Sequence, residues 1–314
     1  TNFYSGLFYK PKTKISIGKK IIIKSTKTNF RNIKTNTKKY SKLNKNFNLN
    51  LTLKQYSKLF DDFSKNIKQG KTYQIKIAQT YSKKGNINAI DLFWKLMQIN
   101  ESPESFLIRD KGYSIISCSP ETLLLKKGDL IKTKPIAGTL RKTKKINHNK
   151  ALAFFRRNEK ETKEHNMIVD MERNDLSKIC KTGSVKIDKL KTVEEYRDLF
   201  HYVTTIKGVL KNKITNHDII SSLMPGGSVI GCPKISTIQL LNKKEKSDRN
   251  IYTGSFGIIH SNGDMRFNIM IRTLLNFKNA IELSVASGVI LGSTAKKEYN
   301  ENYIKAKSLL DLFN

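Results

Sequence analysis

Two segments of the chain carry glutamates spaced so that they share one face of a helix. In "NEKETKEHNMIVDMERNDL", Glu161 and Glu164 stand one turn apart, and in "AKKEYNENYIKAKSLLDLF" Glu298 and Glu301 do the same. Carboxylates brought together from two helices suit Mg²⁺, which takes one or two carboxylates and completes its shell with water and substrate oxygens. The alternative is an ordinary surface ion pair between Glu301 and Lys305. The spacing alone leaves both open.

A glycine-rich loop, "LMPGGSVIGCPKIS" at residues 223–236, lies between two apolar stretches. It is not a phosphate-binding loop, because Cys-Pro follows its last glycine, and it lacks the dinucleotide fingerprint, which needs glycine at Ser228. Pro233 is a favourable first residue for a helix. Backbone N–H groups at such a start attract anions, and Lys234 adds a cation. The sequence predicts either an anion-contacting loop or a tight turn with positive φ at its glycines.

Two further polar side chains lie in apolar surroundings. Arg272 in "RFNIMIRTLL" is predicted to lie within a strand, on the face opposite Ile269 and Ile271. A guanidinium there needs an anionic partner, which is either a ligand carboxylate or an internal acidic side chain. His201 in "YRDLFHYVTTI" is either a base or a core histidine. The sequence offers no Ser-His-Asp or Cys-His order.

Alternating helical and strand-like segments carry these candidate residues. A helix is predicted over "LKQYSKLFDDFSKNIKQG", followed by the strand "TYQIKIAQTY", whose alternation puts Gln74 and Lys76 opposite Ile75. The other predicted helices cover 90–98, 150–171, 216–242 (with an internal loop) and the chain from 295. The other predicted strands lie near 105–109, 113–118, 122–126 and 130–134 and in "SVKID", "TGSFGIIH", "MRFNIMIRTLL" and "IELSVASGVIL". Long strands interspersed with helices indicate an α/β or α+β domain.

Composition limits the class of protein. The chain of 314 residues has a formal net charge of +33, but its lysines are spread along nearly the whole length, and it has no zinc-finger, RNA-recognition or basic-zipper signature. We therefore expect no nucleic-acid partner, although the field would draw in a small anionic substrate. The sequence has neither an apolar run long enough for a transmembrane helix nor a signal-peptide pattern at its start, so no membrane association is expected. Three cysteines without metal-type spacing indicate a reducing cytoplasm.

Seven motifs, taken in order, resemble the chorismate-utilising enzymes, a family that includes anthranilate synthase component I, aminodeoxychorismate synthase component I, isochorismate synthase and salicylate synthase. The motifs are "TYQIKIAQTY", "SCSPETLL", "KPIAGTLR", "KEHNMIVDMERNDLSKI", "PGGSVIGCPK", "YTGSFGIIHSNGDMRFNIMIRTL" and "EYNENYIKAKSLL". The resemblance predicts a catalytic domain over residues 51–314. Residues 1–50, which hold the β-like stretches "KISIG" and "KIIIKS", match poorly and are predicted to add to the β-sandwich at most.

The resemblance implies an α+β chorismate-binding fold, with two facing β-sheets, helices on the outside, and Mg²⁺ and chorismate between the sheets. Glu164, Glu298 and Glu301 match its metal-binding and acidic positions, and Glu164 is also a candidate general acid beside the departing hydroxyl. His201 matches the histidine beside the reacting ring. The implied substrate-contacting residues are Gly138, Thr139, Lys234, Tyr252, Arg272 and the turn Ala286, Ser287 and Gly288.

The resemblance also bears on the nucleophile. The position that activates water in isochorismate and salicylate synthases is a lysine, and here it is Gln74, which is no general base at neutral pH. Ammonia is therefore the expected nucleophile. Because the sequence shows no glutamine amidotransferase cysteine motif, we expect a glutamine amidotransferase subunit as the partner that supplies it.

The product is the least constrained feature. "PGGS", "GSFG" and "MRFN" resemble aminodeoxychorismate synthases, whereas Ala137 stands where many of these carry a nucleophilic lysine. We expect an aminodeoxychorismate synthase component I, with anthranilate synthase component I as the alternative. A third hypothesis is a degenerate chorismate-binding protein that has kept the fold and lost the chemistry. The intact acidic set argues against it, and magnesium-dependent consumption of chorismate separates the two.

Overall fold

The computed structural model describes residues 3, 6–17, 21–25, 46–100, 102–143, 145–196 and 199–313. The strands in these ranges are β1 (Thr13–Ile17), β2 (Ile21–Ser25), β3 (Asn48–Leu49), β4 (Gln74–Lys84), β5 (Glu104–Asp110), β6 (Tyr113–Ser119), β7 (Thr122–Lys127), β8 (Leu130–Lys134), β9 (Ile136–Arg141), β10 (Lys186–Glu195), β11 (Leu199–Val209), β12 (Gly231–Cys232), β13 (Gly257–Ile259), β14 (Met265–Asn268), β15 (Thr273–Phe277) and β16 (Ala280–Val289). The helices are α1 (Leu53–Lys68), α2 (Ala89–Ile99), α3 (His148–Arg157), α4 (Glu159–Ile179), α5 (Asn216–Leu223), α6 (Gly227–Ile230), α7 (Lys234–Lys244) and α8 (Ala295–Leu310), followed by a 3₁₀ turn at Asp311–Phe313.

Two antiparallel sheets form the body of the fold. Sheet I has the order β10-β11-β8-β7-β14-β13, with β9 also paired to β11, and sheet II has the order β12-β4-β16-β15-β6-β5, with β3 also paired to β4. Helices α1, α2 and α8 contact sheet II, and α3 and α4 contact sheet I. Ile75 of sheet II and Leu124 of sheet I belong to the same core cluster. The predicted α+β architecture of two sheets with outer helices is confirmed.

The predicted β-like stretches near the N-terminus form the hairpin β1–β2, a separate two-stranded sheet. Among the described residues of the N-terminal segment, β3 joins sheet II, where it pairs with β4. None of the described helices is long and apolar enough to cross a membrane. Each of the three cysteines is a free thiol.

β4 and β16 form the longest pairing in sheet II, in register from Lys84 opposite Ala280 to Ile75 opposite Val289. The predicted alternation along β4 is correct. Ile75 packs in the core with α1, where Tyr56 is fully buried. The opposite face carries Gln74 and Lys76, which are buried as well. A buried polar face on a central strand needs polar partners, and these mark the site described below.

The chain crosses from one sheet to the other at two neighbouring places. The first crossing, residues 120–121, links β6 of sheet II to β7 of sheet I, and the second, residues 269–272, links β14 of sheet I to β15 of sheet II. They are bonded together, since Ile269 N donates to Glu121 O at 3.0 Å and Ser119 Oγ donates to Ile269 O at 2.6 Å. The prediction of one strand over "MRFNIMIRTLL" is therefore wrong. Arg272, at φ 50°, lies in the crossing, because a left-handed residue does not continue a strand.

Two other sequence predictions need correction. The helix predicted over 150–171 is two helices, because Asn158 between α3 and α4 has an extended backbone, with ψ 90°. β9 and β11 were not predicted. β11 is buried on both faces along most of its length, so its sequence lacks the polar–apolar alternation of a half-exposed strand.

The glycine-rich loop forms the short helix α6 and then β12, and Pro233 is the residue just before the first residue of α7. Gly231 is the position in this loop that requires glycine. Its φ is +128°, and an added Cβ would overlap the backbone carbonyl of Gln74. The clash follows from the pairing of β12 with β4. The tight-turn interpretation of the loop is confirmed at this residue.

Replacing Gly231 by alanine should therefore destabilise the fold strongly. Gly183→Ala is the matched control, because Gly183 also has positive φ (+75°) but nothing within 4 Å of an added Cβ. Urea unfolding should show a loss of about 1–2 kcal/mol for Gly183→Ala, from backbone strain alone. Gly231→Ala should lose at least about 2 kcal/mol more, from overlap with the neighbouring strand. Equal losses for the two variants would contradict this account.

Candidate active site

Charged and polar side chains from β4 and α4 meet above β16. Glu164 Oε1 accepts hydrogen bonds from Gln74 Nε2 at 2.5 Å and from Lys76 Nζ at 2.7 Å. Gly288 of β16 stands opposite Lys76 in the strand register. A Cβ at 288 would lie 2.6–2.8 Å from Gln74 Nε2, Lys76 Nζ and Glu164 Oε1. The absent side chain at Gly288 thus makes room for the cluster, and three predicted site residues (Gln74, Glu164 and Gly288) come together.

Lys76 and Glu164 form a buried ion pair, with side chains 10% and 19% exposed. Burial raises the pKa of the Glu164 carboxyl, but Lys76, Lys305 and the hydrogen bond from Gln74 together outweigh it, and the net pKa lies below the ordinary value. Burial lowers the pKa of Lys76, but Glu164, with smaller contributions from Glu301 and Glu121, outweighs it, and the net pKa lies above the ordinary value. Both groups are therefore charged at neutral pH.

α8 brings Glu301 to the same cluster. Lys305 Nζ lies 2.6 Å from Glu301 Oε1 and also donates to the carbonyl of Ala286 at 3.0 Å. Burial raises the pKa of Glu301 and Glu164 adds to this, but Lys305 and Lys76 outweigh both, and the pKa is lowered. The pair considered from spacing therefore exists. It is part of the cluster around Glu164 and not an isolated surface contact.

The other residues of the turn on β16 face different neighbours. Ser287 Oγ donates to the carbonyl of Glu298 at 2.9 Å and lies 3.0 Å from the hydroxyl of Tyr56, so its side chain is on the helix side of the sheet. Glu298 is 1% exposed at the first turn of α8. The structure thus separates the Ser287 side chain from the Gln74 face of β4. Ala286 holds its place in the site through backbone contacts.

The acidic residues suit a magnesium site completed by water and substrate better than a metal site made of protein ligands alone. Among the described residues, no group of three or more His, Cys, Asp or Glu side chains is placed to hold a metal ion. Glu164 and Glu301 are two carboxylates close enough to perturb each other's pKa. A donor set of two carboxylates suits Mg²⁺, which keeps waters and takes substrate oxygens, whereas a structural zinc site needs four protein ligands.

Glu121, in the first crossing, is a site residue that sequence reasoning missed. Its side chain is 5% exposed, and burial raises its pKa to about 7, against the lowering effects of the nearby Ser228 hydroxyl and of the charges of Lys76 and Arg272. A carboxyl with such a pKa still carries a proton near neutral pH. The available signal was its place in "SCSPETLL", between two predicted strands.

Arg272, in the second crossing, faces the other end of the site. Burial, together with the smaller effect of the Arg272 charge, lowers the pKa of His201 to about 4, so His201 is a neutral imidazole at pH 7. The backbone of Gly138 is hydrogen-bonded to His201, and Thr139 stands opposite His201 in the register of β9 and β11. Four predicted residues, on three separate segments, are therefore neighbours. At this pKa, His201 is a weak base.

Tyr252 lies between the crossings and β16. Its side chain is 7% exposed. Burial raises the pKa of its hydroxyl, which is also hydrogen-bonded to the backbone of Ala286 and senses the charge of Glu121. Tyr252, a predicted substrate-contacting residue, therefore lies beside the turn at residues 286–288.

Lys234 does not lie among these residues as a free cation. Its Nζ is 2.7 Å from Asp175 Oδ2 and donates to the carbonyls of Ser222 at 3.1 Å and Pro225 at 3.3 Å. Its side chain is 12% exposed. Through these contacts, Lys234 fixes the glycine-rich loop to α4. The carboxylate beside it is Asp175 of the protein itself.

The family match and the similar proteins agree on one family. The family described as "chorismate binding enzyme" matches residues 9–311. The chain is 35% identical over 241 residues to aminodeoxychorismate synthase component 1 of Bacillus subtilis, covering 76% of this chain and 51% of that protein. It is also 35% identical over 246 residues to an anthranilate synthase component 1 of Haloarcula marismortui, covering 78% and 50%.

Solved structures agree with these relatives. Anthranilate synthase component I of Streptococcus pneumoniae superposes with a TM-score of 0.77 at 31% identity, covering 86% of this chain and 60% of that one. The menaquinone-specific isochorismate synthase of Escherichia coli also gives a TM-score of 0.77, at 20% identity, covering 89% and 66%, and it supports the fold alone. The chain spans about half the length of the curated relatives it matches. With a family match over nearly its whole length, this chain belongs to the chorismate binding enzymes.

Proposed function

We propose that the chain catalyses the Mg²⁺-dependent amination of chorismate to 4-amino-4-deoxychorismate, as an aminodeoxychorismate synthase component I. The observation that carries the choice of nucleophile is the hydrogen bond from Gln74 Nε2 to Glu164 at the centre of the site. An amide does not take a proton from water at neutral pH. The neighbouring Lys76 is engaged in its ion pair with Glu164. Ammonia, which is nucleophilic without a base, suits this site better than water.

The charges of the site suit a dianion. Chorismate carries two carboxylates, and Arg272 is a buried cation near His201. We assign one substrate carboxylate to Arg272 and Tyr252, with the backbone of Gly138 and Thr139 beside the ring. A buried guanidinium binds a carboxylate through charge-assisted, often bidentate, hydrogen bonds.

The metal would bind at the opposite end. Glu164 and Glu301 are the residues that would hold Mg²⁺, with Glu298 one turn away on α8 as the third acidic residue of the predicted set. When bound, Mg²⁺ would neutralise and orient the second carboxylate of the substrate.

Glu121 is the proposed general acid. Loss of the C4 hydroxyl requires a proton, and the donor must carry one at working pH. Glu121 has a pKa of about 7, whereas the pKa of Glu164 is lowered by Lys76. The acid role first considered for Glu164 therefore fits Glu121 better, and Glu164 keeps the role of ligand. Neutral His201, beside the ring, is suited to hydrogen bonding rather than to proton abstraction.

Anthranilate synthase component I is the second candidate. Addition of ammonia at C2, with departure of the C4 hydroxyl as water, gives aminodeoxyisochorismate in both reactions. Anthranilate synthase then eliminates pyruvate, whereas aminodeoxychorismate synthase must add a second ammonia at C4 while the amine at C2 departs as ammonia. Ala137 favours the anthranilate synthase reaction, because an alanine side chain offers no nucleophile. The relatives give no preference, since both types are 35% identical to this chain.

The first prediction concerns turnover and the source of nitrogen. Purified chain with chorismate, Mg²⁺ and ammonium salt should consume chorismate, and EDTA should stop the reaction. Glutamine should be inactive until a glutamine amidotransferase subunit is added, because the chain lacks that chemistry. Chorismate loss is followed by absorbance or chromatography. Equal rates with and without metal, or glutamine use by the isolated chain, would refute the assignment.

The second prediction concerns Glu121. Glu121→Gln should lower kcat by about 100-fold or more, the usual loss for a general acid. Wild-type activity should fall as pH rises through about 7, because the protonated acid is the active form, with Lys76, Arg272 and Glu172 as the charged or titratable neighbours that modulate it. This limb of the pH profile should be absent in the variant.

Glu104→Gln is the matched control for Glu121→Gln. Glu104 is also buried, at 9% exposure, but it is bonded to Arg266 and Thr122 away from the cluster. This variant should lose stability and keep the wild-type pH profile. If Glu121→Gln keeps wild-type kcat, another residue supplies the proton.

The third prediction concerns the product. Incubation with chorismate and ammonia should give 4-amino-4-deoxychorismate, which a separate lyase converts to 4-aminobenzoate. Products are resolved by chromatography with and without the lyase. Anthranilate formed without the lyase would reverse the choice in favour of anthranilate synthase. A lyase-dependent 4-aminobenzoate peak would establish that Ala137 is compatible with amination at C4.

A further inference from the structure

Lys76 places a positive charge inside the acidic cluster, and the proposed reaction leaves that charge without a role. Its side chain is 10% exposed, and its Nζ lies 2.7 Å from the oxygen of Glu164 that Gln74 also contacts. A lysine is seldom buried this far without a specific partner. Here the partner is one of the two proposed metal ligands.

The surrounding residues hold Lys76 in this position at both ends. Its side chain lies over Gly288, where an added Cβ would come within 2.7 Å of Nζ. Its backbone carbonyl accepts a hydrogen bond from Arg249 Nη2 at 2.8 Å. Arg249 is fixed in turn by two hydrogen bonds to the carboxylate of Glu245, at 2.9 and 2.7 Å. The contact between Lys76 and Glu164 is therefore held in place by the surrounding residues.

The carboxylates of Glu164 and Glu301 are each paired with an ammonium before any ligand arrives. Glu164 is paired with Lys76, and Glu301 is paired with Lys305. A divalent cation entering this cluster therefore meets two ligand carboxylates whose charges are already compensated. It also meets direct repulsion from an ammonium on the same carboxylate, since Mg²⁺ binds carboxylate oxygens at about 2.0–2.1 Å.

We propose that Lys76 competes with Mg²⁺ for Glu164, so that the chain binds Mg²⁺ tightly only once a dianionic substrate has entered the site. The metal and the substrate in this inference rest on the proposed function. A substrate carboxylate supplies the missing negative charge and gives the displaced ammonium a new partner. By linkage, Mg²⁺ then tightens substrate binding by the same factor. Lys76 is thus the residue that makes metal and substrate binding cooperative.

The test measures Mg²⁺ binding directly, by calorimetry and by the shift of the thermal unfolding midpoint, in ammonia-free buffer with and without chorismate. Wild type should bind Mg²⁺ weakly alone and more tightly with chorismate. Lys76→Met, which keeps the length and removes the charge, should bind Mg²⁺ alone about tenfold tighter or more, since a positive charge next to the Glu164 carboxylate has been removed. The tightening by chorismate should shrink in this variant.

Two further variants serve as controls. Lys76→Arg keeps the positive charge and should retain the weak binding of wild type. Lys307→Met removes a charge from an exposed pair with Asp311 on the same helix as Glu301, and it should behave as wild type. A Lys76→Met protein that binds Mg²⁺ no tighter than wild type would overturn the proposal.

The wild-type chain alone also tests the proposal, should Lys76→Met fail to fold. Mg²⁺ binding that is equally tight with and without chorismate, or no binding under either condition, would overturn it. The test of the proposed function is independent of the test of Lys76. Tighter binding in Lys76→Met, together with no consumption of chorismate by wild type in ammonium salt, would support the role of Lys76 and refute the amination.

Discussion

The buried ion pair between Lys76 and Glu164 sets requirements on the elements around it. Removing one partner of such a pair leaves an uncompensated charge, at a cost of about 3–5 kcal/mol. The pair therefore needs β4 and α4 at a fixed separation, with Gln74 as a second donor to the carboxylate. It also needs a strand neighbour without a side chain, which is Gly288. Sheet II and α4 are thus held together by polar contacts in the region where the chemistry is proposed, and by apolar packing elsewhere.

The two crossings between the sheets supply the remaining functional groups. A residue on a regular strand points to one of two faces, whereas a residue in a crossing lies between the sheets. Glu121 and Arg272 occupy such positions, and the hydrogen bonds between the crossings fix them relative to each other. Each crossing joins a strand of sheet I to one of sheet II. The crossings therefore fix the relative placement of the two sheets and the positions of these side chains together.

The glycine-rich loop contributes support. Lys234 ties it to Asp175 of α4 and to its own carbonyls, and Gly231 lets it approach β4 closely. The loop thereby positions the Ser228 hydroxyl near Glu121, where it moderates the rise in the pKa of that carboxyl. A motif that looks like an anion-binding loop in the sequence thus acts mainly on the shape and electrostatics of the neighbouring acid.

The amino-acid sequence by itself determined the family, the order of most elements and the face of β4 that carries Gln74 and Lys76. Those features depend on local periodicity and on motifs contained in single segments. The pairing of Glu301 with Lys305 was also accessible, because the two lie one helical turn apart.

Only the tertiary structure decided the partners and the environment of each charge. The contacts of Lys76 with Glu164 and of Lys234 with Asp175 join residues far apart in sequence, and burial sets the pKa of Glu121 near 7. Sequence reasoning placed Arg272 in a strand because its neighbours are apolar, whereas it lies where the chain leaves one sheet for the other. Apolar character reports that a segment is buried. It does not report which sheet the segment joins. The electrostatics of this site depend on where the chain passes from one sheet to the other, because Arg272 lies there.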